Sequence, residues 1–287
     1  MHDINVKTIL SQKNGMNLYR GCTHGCIYCD SRSEVYGMDH PLEDVAVKAN
    51  SLELLEDALK RKRKPCIIGT GSMCDPYMQC EKSLLLTRKS LELIYKNGFG
   101  VTVITKSDLI LRDLDLYEKI NEKNKVVAQI TLTTYDDDLC GIIEPNVCPT
   151  SARFKVLKEF QKRGIPTVVW LCPVLPFIND TAENLNGILD YCLDAGVAGI
   201  INFGFGVTLR KGNREYFYKN LDKSFPGVKK KYIERFGNSY ECTSDNSDKL
   251  WNIFYSRLKG TNVYCSPKHV FEFLNEFPEK TEQLTFF

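Results

Sequence analysis

Apolar residues along the chain fall into two alternating patterns. Residues 65–69, 101–105 (Val101-Thr-Val-Ile-Thr105), 126–134, 165–173 and 197–203 are short runs rich in Val and Ile without clean in-out alternation. Runs of that kind predict strands covered on both faces. A shorter run at 16–19 precedes them, following Gly15. Residues 51–62, 81–97, 114–122, 151–163 and 181–195 instead space their apolar positions three and four apart, which predicts amphipathic helices. Strands that alternate with helices imply parallel β/α units. The expectation for residues 1–205 is therefore an α/β domain built as a partial (β/α)6 TIM-type barrel.

After Gly204 the composition shifts to Lys, Tyr, Phe and Asn, with helical spacing near 214–223, 228–236, 250–259 and 268–276. Residues 206–287 read as a mostly helical C-terminal extension suited to substrate or partner recognition. No internal repeat interrupts the chain. The first ten residues carry no basic segment ahead of an apolar run, and the most apolar stretch, 165–178, is broken by three prolines. A cytoplasmic protein with no membrane association is expected.

Charge and cysteine content narrow the functional classes. Lys plus Arg number 38 against 36 acidic residues, a net charge of +2, so no global field draws the protein to a polyanion and any such site must be local. Twelve cysteines in a chain of this length, without an export signal, predict reduced thiols, some of them bound to metal.

Cys22-x3-Cys26-x2-Cys29 places three thiolates within eight residues, in a turn-rich loop that follows the first strand. Three protein ligands leave one iron of a 4Fe-4S cube open to a small molecule, whereas an electron-carrying cluster takes four cysteines. A zinc site that recruits His24 from the same loop is the alternative metal reading. C-terminal ends of strands in such barrels carry the chemistry, and the cysteine loop, 69–77, 105–107 and 133–138 all fall there.

The motif Cys-x3-Cys-x-Tyr-Cys resembles the signature of the radical S-adenosylmethionine (SAM) superfamily. With its flanks, Arg20-Gly-Cys-Thr-His-Gly-Cys-Ile-Tyr-Cys29 is similar to the spore photoproduct lyase-like branch. Glu144-Pro145, Arg153, Gly164-Ile165, Pro173, Pro176 and Asn179-Asp180 match that branch's spacing; the likeness weakens after about residue 205. The resemblance implies a barrel of the radical SAM type, with a 4Fe-4S cluster on Cys22, Cys26 and Cys29 and SAM as second cofactor. It also implies an electron donor such as flavodoxin or ferredoxin, and it places Tyr28 beside the SAM adenine.

Further residues follow from position on the rim. Gly71 and Ser72 occupy the place of the family's Gly-Gly-Glu segment, which is absent here, and would offer backbone to the SAM amino group. Asp75, in an Asp-Pro-Tyr that resembles the family's, is a polar contact to SAM or the head of an Asx turn. Lys106 could reach the SAM carboxylate, or be an ordinary solvated loop lysine. Thr131 and Thr133 could offer hydroxyls to ribose, although threonine is also simply favoured in strands. Cys74 is a candidate redox cysteine beside Asp75, out of register by two with the hydrogen donor of the lyase.

Resemblance to the lyase implies a nucleic-acid base or lesion as substrate. Basic clusters at 60–64, 210–214 and 229–231, the last two interleaved with Tyr216, Phe217, Tyr218 and Tyr232, suit that reading or are solvated helix faces. The terminal Gln283-Leu-Thr-Phe-Phe287 resembles the tail that binds the DNA sliding clamp, or is a plain chain end. A radical enzyme on a peptide or small molecule, and a non-catalytic Fe-S or zinc module, are the other readings.

Overall fold

The structure, a computed structural model, describes residues 1–278; the sliding-clamp motif at Gln283-Leu-Thr-Phe-Phe287 lies outside them. Strands β1 (His2–Ile4), β2 (Gly15–Met16), β3 (Tyr19–Arg20) and β4 (Ala46–Lys48) lead into helix α1 (Ser51–Arg61) and strand β5 (Ile67–Thr70). There follow α2 (Glu81–Leu84), α3 (Leu86–Lys96), β6 (Gly100–Thr105), α4 (Leu114–Lys123), β7 (Val126–Thr131), α5 (Asp137–Ile143), α6 (Thr150–Lys162), β8 (Thr167–Trp170), α7 (Ala182–Asp194) and β9 (Gly199–Ile201). The chain continues through β10 (Gly206–Thr208), α8 (Asn213–Ser224), α9 (Val228–Phe236), β11 (Glu241–Thr243), α10 (Ser247–Leu258) and α11 (Pro267–Asn275).

Six strands form one sheet in the order β2-β5-β6-β7-β8-β9, every neighbouring pair parallel. Strand order equal to chain order, with a helical crossover each time, is the winding of a barrel. Among the described residues its first and last strands do not pair, so the barrel is incomplete, as expected.

Both faces of this sheet are apolar, which explains the missing alternation. Val101, Val103, Val126, Ala128, Ile130, Val169 and Ile200 pack outward on the helices. The intervening Val127, Val168 and Ile201 face inward and are covered by Val270 and Leu274 of α11. The helices after residue 205 thus have different places: α10 lies on α7, α11 lies against β9, and Tyr264 joins β9 through Ile200 N–H to its carbonyl at 2.8 Å. By contrast β10, α8, α9 and β11 build a second apolar cluster that includes Ile27, Tyr28 and Leu175.

Two expectations are corrected. The helix predicted over 81–97 breaks at Leu85, which is left-handed at φ 55°. Buried Glu81 causes the break: its carboxylate accepts the Thr87 N–H at 2.9 Å, capping a new helix, while Tyr19 and Arg112 also bind it. The N-terminal β1-β4-β3 sheet and the antiparallel β10-β11 hairpin lacked any alternating run long enough to reveal them. Among the described residues no helix is long and apolar enough to cross a membrane.

Candidate functional site

The cysteine loop leaves β3 at the C-terminal end of the sheet and turns on two glycines. Gly21 has φ 101°, and a Cβ there would lie 2.6 Å from the Leu42 carbonyl; Gly25 has φ 70°. Only glycine takes the first position without displacing backbone. Cys26 is buried, and Cys22 and Cys29 are partly so. Burial, then the nearby Asp75, pushes the Cys22 thiol up to about 12, and burial drives Cys26 well above its ordinary value. Each of these two thiols also feels the charge of Cys29, so the three lie within electrostatic reach of one another.

A second segment grips the loop from the far side. Ile27 N–H donates to the Ile143 carbonyl (3.0 Å), Asn146 N–H to the His24 carbonyl (3.1 Å) and Asn146 Nδ2 to the Thr23 carbonyl (2.9 Å). Between these contacts the Tyr28 hydroxyl donates to Glu144 Oε1. Glu144 Oε2 pairs with Arg153 at 2.6 Å, both side chains being essentially inaccessible. Arg153 also donates to the carbonyls of Cys148 and Thr131 and to Cys140 Sγ. Burial alone would raise the Glu144 carboxyl, but Arg153, Lys106 and the Tyr28 hydroxyl together hold it below 4.5. A carboxylate so paired stays ionised in the interior.

Asp75 is a strut between neighbouring loops. Its Oδ1 accepts Tyr77 N–H (2.8 Å) and Thr105 Oγ1–H (2.7 Å), and its Oδ2 accepts Lys106 N–H (2.8 Å) and lies 3.5 Å from His24 Nδ1. The bond to Tyr77 is the Asx turn foreseen as its alternative role. Lys106 is half-buried, with Nζ 5.9 Å from the Tyr28 ring centre. Burial would lower its ammonium, but Cys26 and Glu144 hold it above the ordinary range. Gly71, at φ 98°, brings its own backbone against the Ile104 carbonyl, where a Cβ would sit 2.1 Å away, and so carries Ser72 out to the rim.

A cavity of about 560 Å³ opens beside this loop. Tyr28, Cys29, Ser72, Met73, Trp170, Cys172 and Phe203 line it, together with the β10-β11 hairpin. Thus the ends of β5, β8 and β9 and the cysteine loop share one space, as the barrel topology requires. Three of the expected residues are placed differently. Cys74, expected on the rim, is 5% exposed and its Sγ donates to the Tyr19 carbonyl at 3.2 Å; the cysteines that line the cavity with Cys29 are Cys172 and Cys242. The Thr133 hydroxyl, expected for ribose, instead donates to Glu144 at 3.2 Å, and buried Thr131 supports Arg153 through its carbonyl.

Residues missed from the sequence share a cause. Trp170, Cys172 and Phe203 lie at the ends of β8 and β9, the very positions that strand-end logic favours, but they carry no motif. Glu144 and Arg153 stood out only through family spacing. His24, considered a zinc ligand, is buried beside Asp75 with its imidazole held low, chiefly by burial. Among the described residues no three His, Cys, Asp or Glu side chains converge on a single metal ion. A cluster spreads its thiolates wider than one ion does, so three cysteines on one eight-residue loop suit a cluster.

A family model described as the radical SAM superfamily matches residues 16–192. An uncharacterized protein of Mycobacterium tuberculosis is 29% identical over 229 residues, covering 77% of this chain and 66% of its own length. The chain therefore spans just under two thirds of that relative. A spore photoproduct lyase mutant with bound AdoMet and dinucleoside spore photoproduct superposes with a TM-score of 0.65 at 11% identity, over 92% of this chain and 80% of the other. The methyltransferase TsrM from Kitasatospora setae, with tryptophan substrate and a SAM analog bound, gives 0.50 at 13% identity, over 70% and 37%. These likenesses establish the fold.

Proposed function

The chain belongs to the radical SAM superfamily, and we propose that it is an enzyme of that kind in which Cys22, Cys26 and Cys29 hold a 4Fe-4S cluster at the mouth of the barrel. The observation that carries this assignment is the loop itself: three cysteines within eight residues at the C-terminal end of a parallel sheet, with Cys29 opening on the cavity. When bound, the cluster and SAM supply reductive cleavage of SAM to methionine and a 5'-deoxyadenosyl radical that takes hydrogen from a substrate.

The chain's own residues then bind and orient. Tyr28, its hydroxyl tied to Glu144, offers a fixed ring edge to the adenine. Lys106 brings a half-buried ammonium for the SAM carboxylate, and the backbone at Gly71 and Ser72 accepts from the amino group. Asp75 and the Glu144–Arg153 pair keep these groups in register.

For the substrate we read a nucleic-acid base. Support comes from the whole-chain likeness to spore photoproduct lyase, which binds a dinucleoside photoproduct, and from an aromatic cavity wall suited to a flat ring. A peptide or small-molecule ring is the second reading, favoured by the lack of Lys, Arg and His among the described residues that line the cavity. A flavodoxin or ferredoxin would supply the electron.

Anaerobic reconstitution tests the assignment. Reduced holoenzyme with SAM is expected to release 5'-deoxyadenosine and methionine, and Cys26→Ala to lose iron loading and SAM cleavage together. Full cluster loading of Cys26→Ala would overturn it.

A further inference from the structure

The cavity wall opposite the cysteine loop is more specific than a generic apolar surface. Exposed large apolar side chains on a soluble protein are usually scattered, and their clustering marks a binding site. Among the eleven such side chains of the described residues, Tyr36, Met73, Phe203 and Tyr240 all border this one cavity. Phe203, just beyond β9, is 62% exposed. Its ring centre lies 6.0 Å from Trp170 and 6.3 Å from Phe271 of α11, the latter pair stacked at 23°. Trp170 and Phe271 are themselves 6.2 Å apart, so three rings form a strip that runs from the cavity outward.

This strip is held in place before any ligand arrives. The Trp170 indole Nε1–H donates to Gln129 Oε1 at 2.8 Å, and Gln129 in turn donates to Thr102. The three residues cross β8, β7 and β6 on the inner face of the sheet, and Gln129 and Thr102 are buried. A polar ladder inside a barrel otherwise lined by Val and Ile has no packing advantage, but it fixes the plane of the indole that lines the cavity. Flat faces presented at fixed orientation are what a stacking site needs.

Polar groups around the strip are of mixed neutral kind: Ser31, Ser72, Thr208 and Thr243 border the same space, and its only ionisable acids are Asp30 and Glu241 among the described residues. Asp30 is already bound by Ser33 and Tyr36. Hydroxyls and backbone can match the donor and acceptor edge of a nucleobase, whereas a phosphate inside would meet carboxylates, and Arg210 at the edge is already engaged by Asp30 at 3.7 Å and by the Tyr240 hydroxyl at 2.6 Å.

We propose that Phe203, with Trp170 and Phe271, is the stacking platform that receives the substrate's nucleobase, and that the base enters alone while its phosphates stay outside the cavity. This rests on the nucleic-acid reading above and adds to it the residues that select the ring. Recognition of the base itself is then governed by stacking and hydrogen bonds, so binding of the phosphate-free thymidine should depend weakly on salt.

The experiment is equilibrium dialysis of labelled single-stranded (dT)8, and of a phosphate-free thymidine probe, against cluster-loaded protein with SAM at two salt concentrations. Phe203→Ala and Phe203→Leu should each weaken (dT)8 about tenfold, within the range of a single lost base–aromatic stack. Phe203→Trp should hold or tighten it. Phe203 is solvent-exposed, so these variants stay folded, which a thermal melt checks. Tyr255→Ala, an exposed aromatic on α10 outside the barrel, should bind as wild type.

Equal (dT)8 binding by wild type and Phe203→Ala overturns the platform and leaves the nucleic-acid reading standing. Failure of wild type to bind either thymidine probe, or its preference for a tryptophan-bearing peptide, overturns both. Loss of thymidine binding while (dT)8 still binds overturns the claim that the base enters alone.

Discussion

Replacing Glu144 by Gln removes one charge from the most deeply buried ion pair near the cysteine loop. The change is nearly isosteric, so its effect reports the charge. Glu144 is 0% and Arg153 1% exposed at the side chain, and they meet at 2.6 Å. In the variant, Arg153 keeps its bonds to the carbonyls of Cys148 and Thr131 but loses its counter-ion in a medium that solvates cations poorly. Breaking one partner of such a pair costs about 3–5 kcal/mol. At roughly 2–4 °C per kcal/mol for a protein of about this size, the melting temperature of the cluster-free protein should fall by about 6–20 °C. Circular dichroism melts measure it. Glu144→Met with Arg153→Met should recover only part of the loss, because it removes the unpaired charge but leaves the Tyr28 and Thr133 hydroxyls without their acceptor.

The same pair has a pH signature. Folding holds the Glu144 carboxyl below its ordinary 4.5, so the folded state binds this proton less readily than the unfolded state does. Its stabilisation is therefore complete above about pH 4.5 and is lost as pH falls through the lower folded value. Glu144→Gln should flatten that part of the acid-unfolding curve. A melting shift under about 2 °C, with an unaltered acid limb, would refute the claim that this pair anchors the loop.

Other expectations are more direct. Lys106→Met should raise the KM for SAM by about tenfold, one charge-assisted hydrogen bond being worth roughly 1.5–3 kcal/mol, with iron content unchanged; an unaltered KM would remove Lys106 from the SAM site. Cys74→Ala should leave the product distribution as in wild type, because its thiol is sealed against the Tyr19 carbonyl; an altered product spectrum by mass spectrometry would restore it to the chemistry. Gly71→Ala should destabilise by at least about 1–3 kcal/mol from its backbone conformation alone, with the overlap on Ile104 added; urea midpoints would show it, and an unchanged midpoint would mean the rim segment readjusts freely.

Much of the barrel was legible in local pattern. Helix α9 lies where its spacing put it, at Val228–Phe236, and β6, α4 and α6 lie within a residue or so of their predicted bounds. The interval Cys22-x3-Cys26-x2-Cys29 carried the cofactor reading, because the spacing of adjacent ligands along a tight loop survives without knowledge of the fold. Glu81 shows the opposite case: its helix looked continuous, and only contacts to Tyr19, Thr87 and Arg112, distant along the chain or across a break, reveal why it ends.

From the sequence alone came what short-range chemistry controls: hydrophobic period, parallel β/α order, and three thiols kept near one another by a turn-rich loop only eight residues long from Cys22 to Cys29. Tertiary structure alone decided which groups complete the site. It buried Cys74 and brought Cys172 to the cavity, engaged Thr133 with Glu144, set Arg153 behind Tyr28, and aligned Trp170, Phe203 and Phe271 from three separate elements. The physical reason is that burial, ion pairing and ring stacking act between residues far apart in sequence, where no periodicity or spacing records the encounter.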